Sequence, residues 1–248
     1  MLRFDSRAAK ALVAVAAIVC VIAAPASTAL VNLTPQGTAV NSNTGVLLSD
    51  LLSGASMGIV VGDKIFTGFS YSALGDMPTA NDVRVLGFRD PAGHWGVTFQ
   101  GSFRDLPGGS DSDALIRFIV DVDPASLARG MRISDAHLFL NGVGMGDESF
   151  FLVDESFSLS GINDTLNVFQ STLGPGTTAD LSDEVFFDPG LSRLFVTKDI
   201  NAFAAVGSTV PARATAIDQS FSQIPEPATL ALAGMSALAM VGASRRRG

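Results

Sequence analysis

Residues 95–103 read WGVTFQGSF, and this stretch decides the fold class. Apolar side chains recur at every second position, at Trp95, Val97 and Phe99, whereas the positions between them are small or polar. A period of two indicates a β-strand with one face buried and the other toward solvent, as in an antiparallel sheet. The stretch therefore predicts an all-β domain.

Similar short runs, separated by Gly, Pro, Asn and Asp, continue on both sides of this strand. The predicted strands are residues 58–61, 64–71, 83–88, 95–103, 116–122, 136–140, 151–159, 166–169, 185–187, 194–197 and 214–221. Gly62-Asp63 predicts a hairpin turn, and one helix-like run, residues 46–53, ends at Gly54. Strands at this spacing predict an antiparallel β-sandwich of jelly-roll type, with residues 220–223 as the linker out of the fold.

The N-terminus has the pattern of a secretory signal peptide. Basic residues precede an apolar run over residues 11–24, and small residues follow it. We predict cleavage by signal peptidase after Ala29, with Ala26 as the alternative, so residues 1–29 are the signal peptide. Cys20, the single cysteine of the chain, lies in the apolar run. The exported domain, residues 30–223, is therefore expected to fold without disulfides.

The predicted mature body is acidic. Residues 30–224 hold 22 Asp plus Glu and 10 Lys plus Arg, a net charge of −12, whereas the whole chain carries −8. A strongly acidic body argues against binding to nucleic acid or to an anionic membrane surface.

The C-terminal tail, residues 224–248, has three parts. A Pro-Glu-Pro segment comes first, and its prolines favour an extended backbone. An uncharged apolar run over residues 228–243 predicts a short transmembrane helix, and a basic cluster after it holds that end in the cytoplasm. The residues of the first and last parts are Pro225, Glu226, Pro227, Arg245, Arg246 and Arg247.

This order of parts resembles the PEP-CTERM sorting signal of exported proteins in Gram-negative bacteria. The resemblance implies processing near Pro-Glu-Pro by exosortase, an integral-membrane enzyme similar to a transpeptidase. It also implies a protein that is anchored in the inner membrane before processing and is then found at the cell surface or outside the cell. Segments of the body are similar to other such proteins and imply a shared β fold: GDKIFTGFSYS (62–72), WGVTFQGSF (95–103), FVTKDI (195–200) and AIDQSFSQIPEP (216–227).

Two patterns that could indicate an enzyme have the wrong context. Residues 54–58 match G-x-S-x-G, but that motif needs a strand before it and a helix after it, and here the order is reversed. His94 and His137 lie far apart in the sequence, and their spacing does not support a zinc site. We therefore expect no catalytic residue.

Acidic pairs make calcium the one cofactor to consider. Asp111 and Asp113 lie in a Gly/Ser loop, and Asp121 and Asp123 lie two residues apart at a strand end. Carboxylate oxygens in flexible loops are ligands for Ca²⁺, although a solvated acidic loop explains the same residues.

Two functions remain open from the sequence. The tail favours a non-enzymatic protein of the cell surface or of the extracellular biofilm matrix. The alternative is a carbohydrate-binding module or polysaccharide hydrolase. A binding platform for polysaccharide would need exposed aromatic side chains, and Trp95 and Tyr71 are the single Trp and Tyr of the chain.

Overall fold

Two facing β-sheets make up the molecule. The structure, a computed structural model, describes residues 29–108, 110–158 and 164–225. Helix within these ranges is limited to α1 (Leu48–Leu52) and α2 (Pro124–Ala128). The all-β prediction is confirmed, and so is the short helix before Gly54, whose positive φ of 74° suits glycine.

Fourteen strands form the sheets in the described ranges. In chain order they are β1 (Val31–Asn32), β2 (Asn41–Leu47), β3 (Ile59–Val61), β4 (Lys64–Leu74), β5 (Arg84–Arg89), β6 (Trp95–Asp105), β7 (Ser112–Val122), β8 (Met131–Asn141), β9 (Ser149–Phe157), β10 (Thr165–Ser171), β11 (Thr178–Asp180), β12 (Ser182–Leu191), β13 (Arg193–Ala204) and β14 (Ala212–Pro225). The predicted hairpin at Gly62-Asp63 joins β3 to β4.

The strand order defines one sheet of eight strands and one of six. The eight-stranded sheet runs β1-β3-β4-β7-β13-β9-β10-β11, and the six-stranded sheet runs β12-β8-β14-β6-β5-β2. Among the described strands, β1 pairs with β3 in parallel, and the other pairs are antiparallel. The predicted sandwich-like arrangement is confirmed, with more strands than the about eight of a jelly roll.

Phenylalanine rings fill the space between the sheets. Phe118 of β7 lies at the centre, with ring centroids of Phe66, Phe69 and Phe99 at 6.0, 5.8 and 5.7 Å. Phe99 belongs to the alternating strand β6, whose apolar positions face this core as predicted. The two inner faces therefore bury a continuous aromatic core, which is the main source of stability for such a sandwich.

The last strand continues further than the sequence pattern predicts. The predicted linker at residues 220–223 is wrong, because β14 lies between β8 and β6 and pairs with β8 as far as Pro225. Ser220 and Ser222 are buried there and do not mark a loop: the Ser220 hydroxyl donates to Asp90, and the Ser222 backbone N–H donates to Asp135. A small polar residue such as Ser220 can therefore occupy a central strand when a partner for its hydroxyl is fixed nearby.

Candidate functional site

The first candidate is the junction between the domain and the tail. Pro225 ends β14, and its Cα lies opposite that of Met131 in β8. The other sorting residues, Glu226, Pro227 and the arginine cluster, lie outside the described residues, as do the predicted span 228–243 and the signal peptide up to residue 28. Ala29, the predicted cleavage residue, is exposed at the start of the described chain. In the part of the chain that the structure describes, no helix has the length and apolar character of a membrane span.

The predicted calcium ligands lie in two separate pairs, and three of the four have other partners. Asp111 and Asp113 are at the start of β7, and Asp121 and Asp123 are at its end, roughly 25 Å away at the usual rise of a strand. The Asp121 carboxylate accepts two hydrogen bonds from the Arg193 guanidinium, at 2.6 and 3.0 Å. Asp123 caps α2 by accepting from two backbone N–H groups, at 2.9 and 3.2 Å.

Of the other two residues, Asp111 is exposed and Asp113 lies beside another acid. Burial and a hydrogen bond with Asp199 both raise the pKa of Asp113. Across residues 29–108, 110–158 and 164–225, no group of three or more His, Asp or Glu side chains could hold a metal ion. The arrangement does not support a single calcium site built from the four predicted residues.

The structure instead brings the two histidines together on the outer face of the six-stranded sheet. The rings of His94 and His137 stack with centroids 5.5 Å apart and planes 18° apart. Asp90 contacts His94 at Nδ1, at 3.0 Å, and Asp135 contacts His137 at Nε2, at 2.9 Å. Glu184 of β12 lies 3.4 Å from Nδ1 of His137. We call these five residues the histidine cluster.

Backbone pairing explains why these side chains meet. His137 of β8 lies opposite Glu184 in β12 and opposite Ser220 in β14. Ser220 lies opposite Gly96 at the start of β6. This pairing places His94 and the turn before it close to Ser220, and so close to His137. The Ser220 hydroxyl donates to Asp90 at 2.7 Å and fixes that carboxylate beside His94.

Electrostatics in the cluster favour charged histidine and charged aspartate. Burial acts to raise the pKa of Asp135, but hydrogen bonds with His137 and Ser222 outweigh it and lower that pKa to about 2. The Asp135 contact raises the pKa of His137, against the effect of burial. The pKa of Asp90 is also lowered, because the bonds from Ser220 and His94 exceed the opposing effect of burial.

Two open clefts border the cluster. One, of about 360 Å³, is lined by His137, Phe139, Glu184 and the adjoining start of β12. The other, of about 310 Å³, lies between residues 38–40 and 89–93. Imidazolium and carboxylate groups beside shallow clefts can form hydrogen bonds with a polar ligand.

Side chains that could serve a hydrolase are held in internal contacts. The Ser56 hydroxyl of the G-x-S-x-G segment donates to the Gly58 carbonyl oxygen at 2.9 Å, with α1 before it and β3 after it, as expected for a segment that is not a nucleophile elbow. The Tyr71 hydroxyl donates to the Pro78 carbonyl oxygen at 2.6 Å, and the ring is half-buried against the core. Trp95 is also half-buried.

Sequence reasoning missed the histidine cluster. A single residue in a strand does not show which other strand lies beside it, and His94 and His137 meet through β14, which comes last in the chain. Asp135 and His137 are two residues apart in a predicted strand region and so share a face, which is the one local signal that was available.

Comparisons with known proteins bear on the tail. The family model described as the PEP-CTERM protein-sorting motif matches residues 223–247. The tail carries a PEP-CTERM sorting motif. This confirms the resemblance found in the sequence, and it supports export, anchoring in the membrane before processing, and exosortase as the processing partner. The motif match begins within β14, at Gln223, so the PEP-CTERM signal starts inside the folded domain.

Comparisons with known proteins give little information about the function of the body. No curated protein matches the chain. The chain is similar to the enzymatically active domain of tailspike protein 4 from bacteriophage CBA120, at 12% sequence identity over 62% of this chain and 19% of that chain, with a TM-score of 0.24. A likeness at this level carries no argument about function.

Proposed function

We propose that this is a non-enzymatic protein of the cell surface or of the extracellular biofilm matrix, which exosortase separates from a membrane anchor at residues 228–243. The observation that carries the proposal is the junction at Pro225. The PEP-CTERM motif match begins at Gln223, within β14, so Pro225, the first residue of the Pro-Glu-Pro segment, still belongs to the sheet. We therefore expect the protein to reach exosortase as a folded domain.

The body supports a role in structure or interaction. Hydroxyl groups that could act as nucleophiles, those of Ser56 and Ser220, are buried and take part in internal hydrogen bonds. The half-buried positions of Trp95 and Tyr71 weigh against an aromatic platform for polysaccharide. The outer face of the six-stranded sheet, with the histidine cluster and its two clefts, is the surface on which we place contacts with a polar partner.

Measurement of mature protein from the native host tests the proposal. We expect a mature species that begins after the signal peptide and lacks the apolar run and the arginine cluster. Replacing Glu226 by Ala should leave insertion intact but cause unprocessed protein to accumulate in the membrane fraction, since the charge that holds Pro-Glu-Pro at the water boundary is lost.

The control is Thr229→Ala, a substitution in the same tail but outside the Pro-Glu-Pro segment, which should be processed normally. A wild-type species from the cell surface whose intact mass still includes Gly248 would contradict exosortase processing. Loss of processing in both variants would show a general effect of tail mutation and would remove the assigned role of Glu226.

A further inference from the structure

Three polar side chains meet in the space between the two sheets. Lys198 of β13, Glu155 of β9 and Gln219 of β14 are 0%, 1% and 0% exposed. Each occupies an inward position between apolar residues of its own strand; for Lys198 these are Val196 and Ile200. Lys and Glu are rarely buried to this degree unless they are paired or have a chemical task.

The three side chains converge from both sheets. Lys198 lies directly opposite Glu155 in the β13–β9 ladder of the eight-stranded sheet, and Gln219 belongs to the six-stranded sheet. The Lys198 Nζ atom contacts Glu155 Oε2 and Gln219 Oε1. Facing sheets lie about 10 Å apart, a gap that a lysine and a glutamine side chain can span together.

The polar groups in this cluster are not all satisfied. Glu155 Oε1 and Gln219 Nε2 have no hydrogen-bond partner, although both are buried. On the other strands beside Lys198 and Gln219 the ladder partners are Ile116, Val97 and Leu138, which offer no polar side chain. A noncovalent triad at this place leaves buried polar atoms unpaired, which is unfavourable.

Burial also prepares Lys198 for reaction. Desolvation lowers the pKa of its amine well below the ordinary value, although the charge of Asp218 acts in the opposite direction. A neutral amine has a free electron pair, and a desolvated lysine is an effective nucleophile. The carboxamide carbon of Gln219 is the electrophile beside it, because its own oxygen contacts the amine.

We propose that Lys198 and Gln219 are joined by an isopeptide bond, formed inside the folded domain with Glu155 as the acid–base catalyst. The Nζ electron pair attacks the Gln219 Cδ atom, and a new C–N bond forms. The bond between Cδ and Nε2 breaks, and its electron pair leaves with Nε2. Glu155 takes a proton from Nζ and gives one to Nε2, so ammonia departs and Glu155 is regenerated. No oxidant, reductant or other reactant is required.

The product suits the site better than the reactants do. The unpaired Nε2 donor leaves as ammonia, and a buried amine becomes part of a neutral amide. The new amide N–H can donate a hydrogen bond to the regenerated Glu155 carboxylate. The bond ties β13 of one sheet to β14 of the other, in a body whose sequence after residue 29 contains no cysteine for a disulfide.

Peptide mass spectrometry of the full chain tests the bond directly. The chain is expressed, denatured and digested with trypsin, which does not cleave after an acylated lysine. We expect one branched species that joins residues 194–213 to the peptide beginning at Ala214, lighter than the sum of the two by one ammonia. Separate peptides 194–198 and 199–213 with unmodified masses would overturn the proposal. A species lighter by one water, in which Lys198 is joined to the peptide 133–193 that contains Glu155, would overturn the assignment to Gln219.

Two variants separate the catalyst from the reacting residues. Glu155→Ala keeps both Lys198 and Gln219, and we expect it to give the unlinked peptides. Lys64→Met is the matched control, because Lys64 is another buried lysine, paired with Asp63, and its loss should leave the branched species unchanged. A Glu155→Ala protein that is still fully linked would overturn the role of Glu155. Because this variant could fail to fold, the mass of the wild-type peptides is the deciding measurement.

Discussion

The contact between Asp135 and His137 gives the outer face of the six-stranded sheet a stability contribution that depends on pH. The pKa of Asp135 is about 2 in the folded protein, against 3.8 for the free side chain. An acid whose pKa falls on folding stabilises the folded state above the unfolded pKa, and that contribution is lost as the pH falls through the folded pKa. At about 1.4 kcal/mol per unit, the shift corresponds to at most about 2.5 kcal/mol, and to about 2 kcal/mol once screening by solvent is allowed for.

We expect Asp135→Asn to lower the free energy of unfolding by about 2 kcal/mol near pH 5 and by much less near pH 2, where the Asp135 carboxyl is already about half protonated in the folded protein. The difference should also shrink above neutral pH. The raised pKa of His137 means that its contribution is fully present below about pH 6.5 and is lost as the pH rises through the folded pKa. Asp90 and Glu184 also face His137, so part of its contribution survives in the variant.

Urea unfolding of residues 30–225 at several pH values is the assay. Asp180→Asn is the control, because Asp180 is exposed in the short strand β11 and should give no difference at any pH. An Asp135→Asn effect that is the same near pH 2 and near pH 5 would refute the electrostatic reasoning. It would leave a loss of packing as the explanation.

Two further predictions concern the core and a turn. Phe118→Ala should lower the free energy of unfolding by about 3–5 kcal/mol, because a fully buried ring is removed. Phe195→Ala on the neighbouring strand should lower it far less, because that residue is 41% exposed. Equal losses in urea unfolding would contradict the assigned core. Gly62→Ala should lower the thermal midpoint clearly, since φ is +59° and a Cβ would lie 2.3 Å from the Trp95 ring. Gly108→Ala, with φ +93° and no atom within 4 Å of the added Cβ, should lower the free energy of unfolding by only about 1 kcal/mol. Equal thermal midpoints for the two variants would rule out this steric explanation.

Local patterns were sufficient to predict eleven of the fourteen described strands. The alternation through Trp95, Val97 and Phe99 is a property of one strand, and side chains two residues apart always share a face. The turn at Gly62-Asp63 is also local, because glycine supplies the positive φ that the turn requires. The short strands β1, β2 and β11 were missed, since they lack alternation long enough to stand out.

Pairing between distant strands could not be predicted. Lys198, Glu155 and Gln219 each interrupt an apolar alternation, and that interruption is visible in the sequence. Their convergence depends on β13, β9 and β14 having a particular register across two sheets, which no single strand encodes. The same reason explains why His94 and His137 were considered separately.

The position of β14 also determines how the domain would respond to a pull. A force applied at Pro225 along the strand enters β14, which pairs with β8 over residues 216–225 and with β6 over residues 212–221. In this direction the hydrogen bonds of both ladders bear the force in parallel and must break together. A strand that is peeled from a sheet edge instead loses its hydrogen bonds one at a time. A pull along the tail is therefore resisted by two ladders of hydrogen bonds at once rather than by one bond at a time.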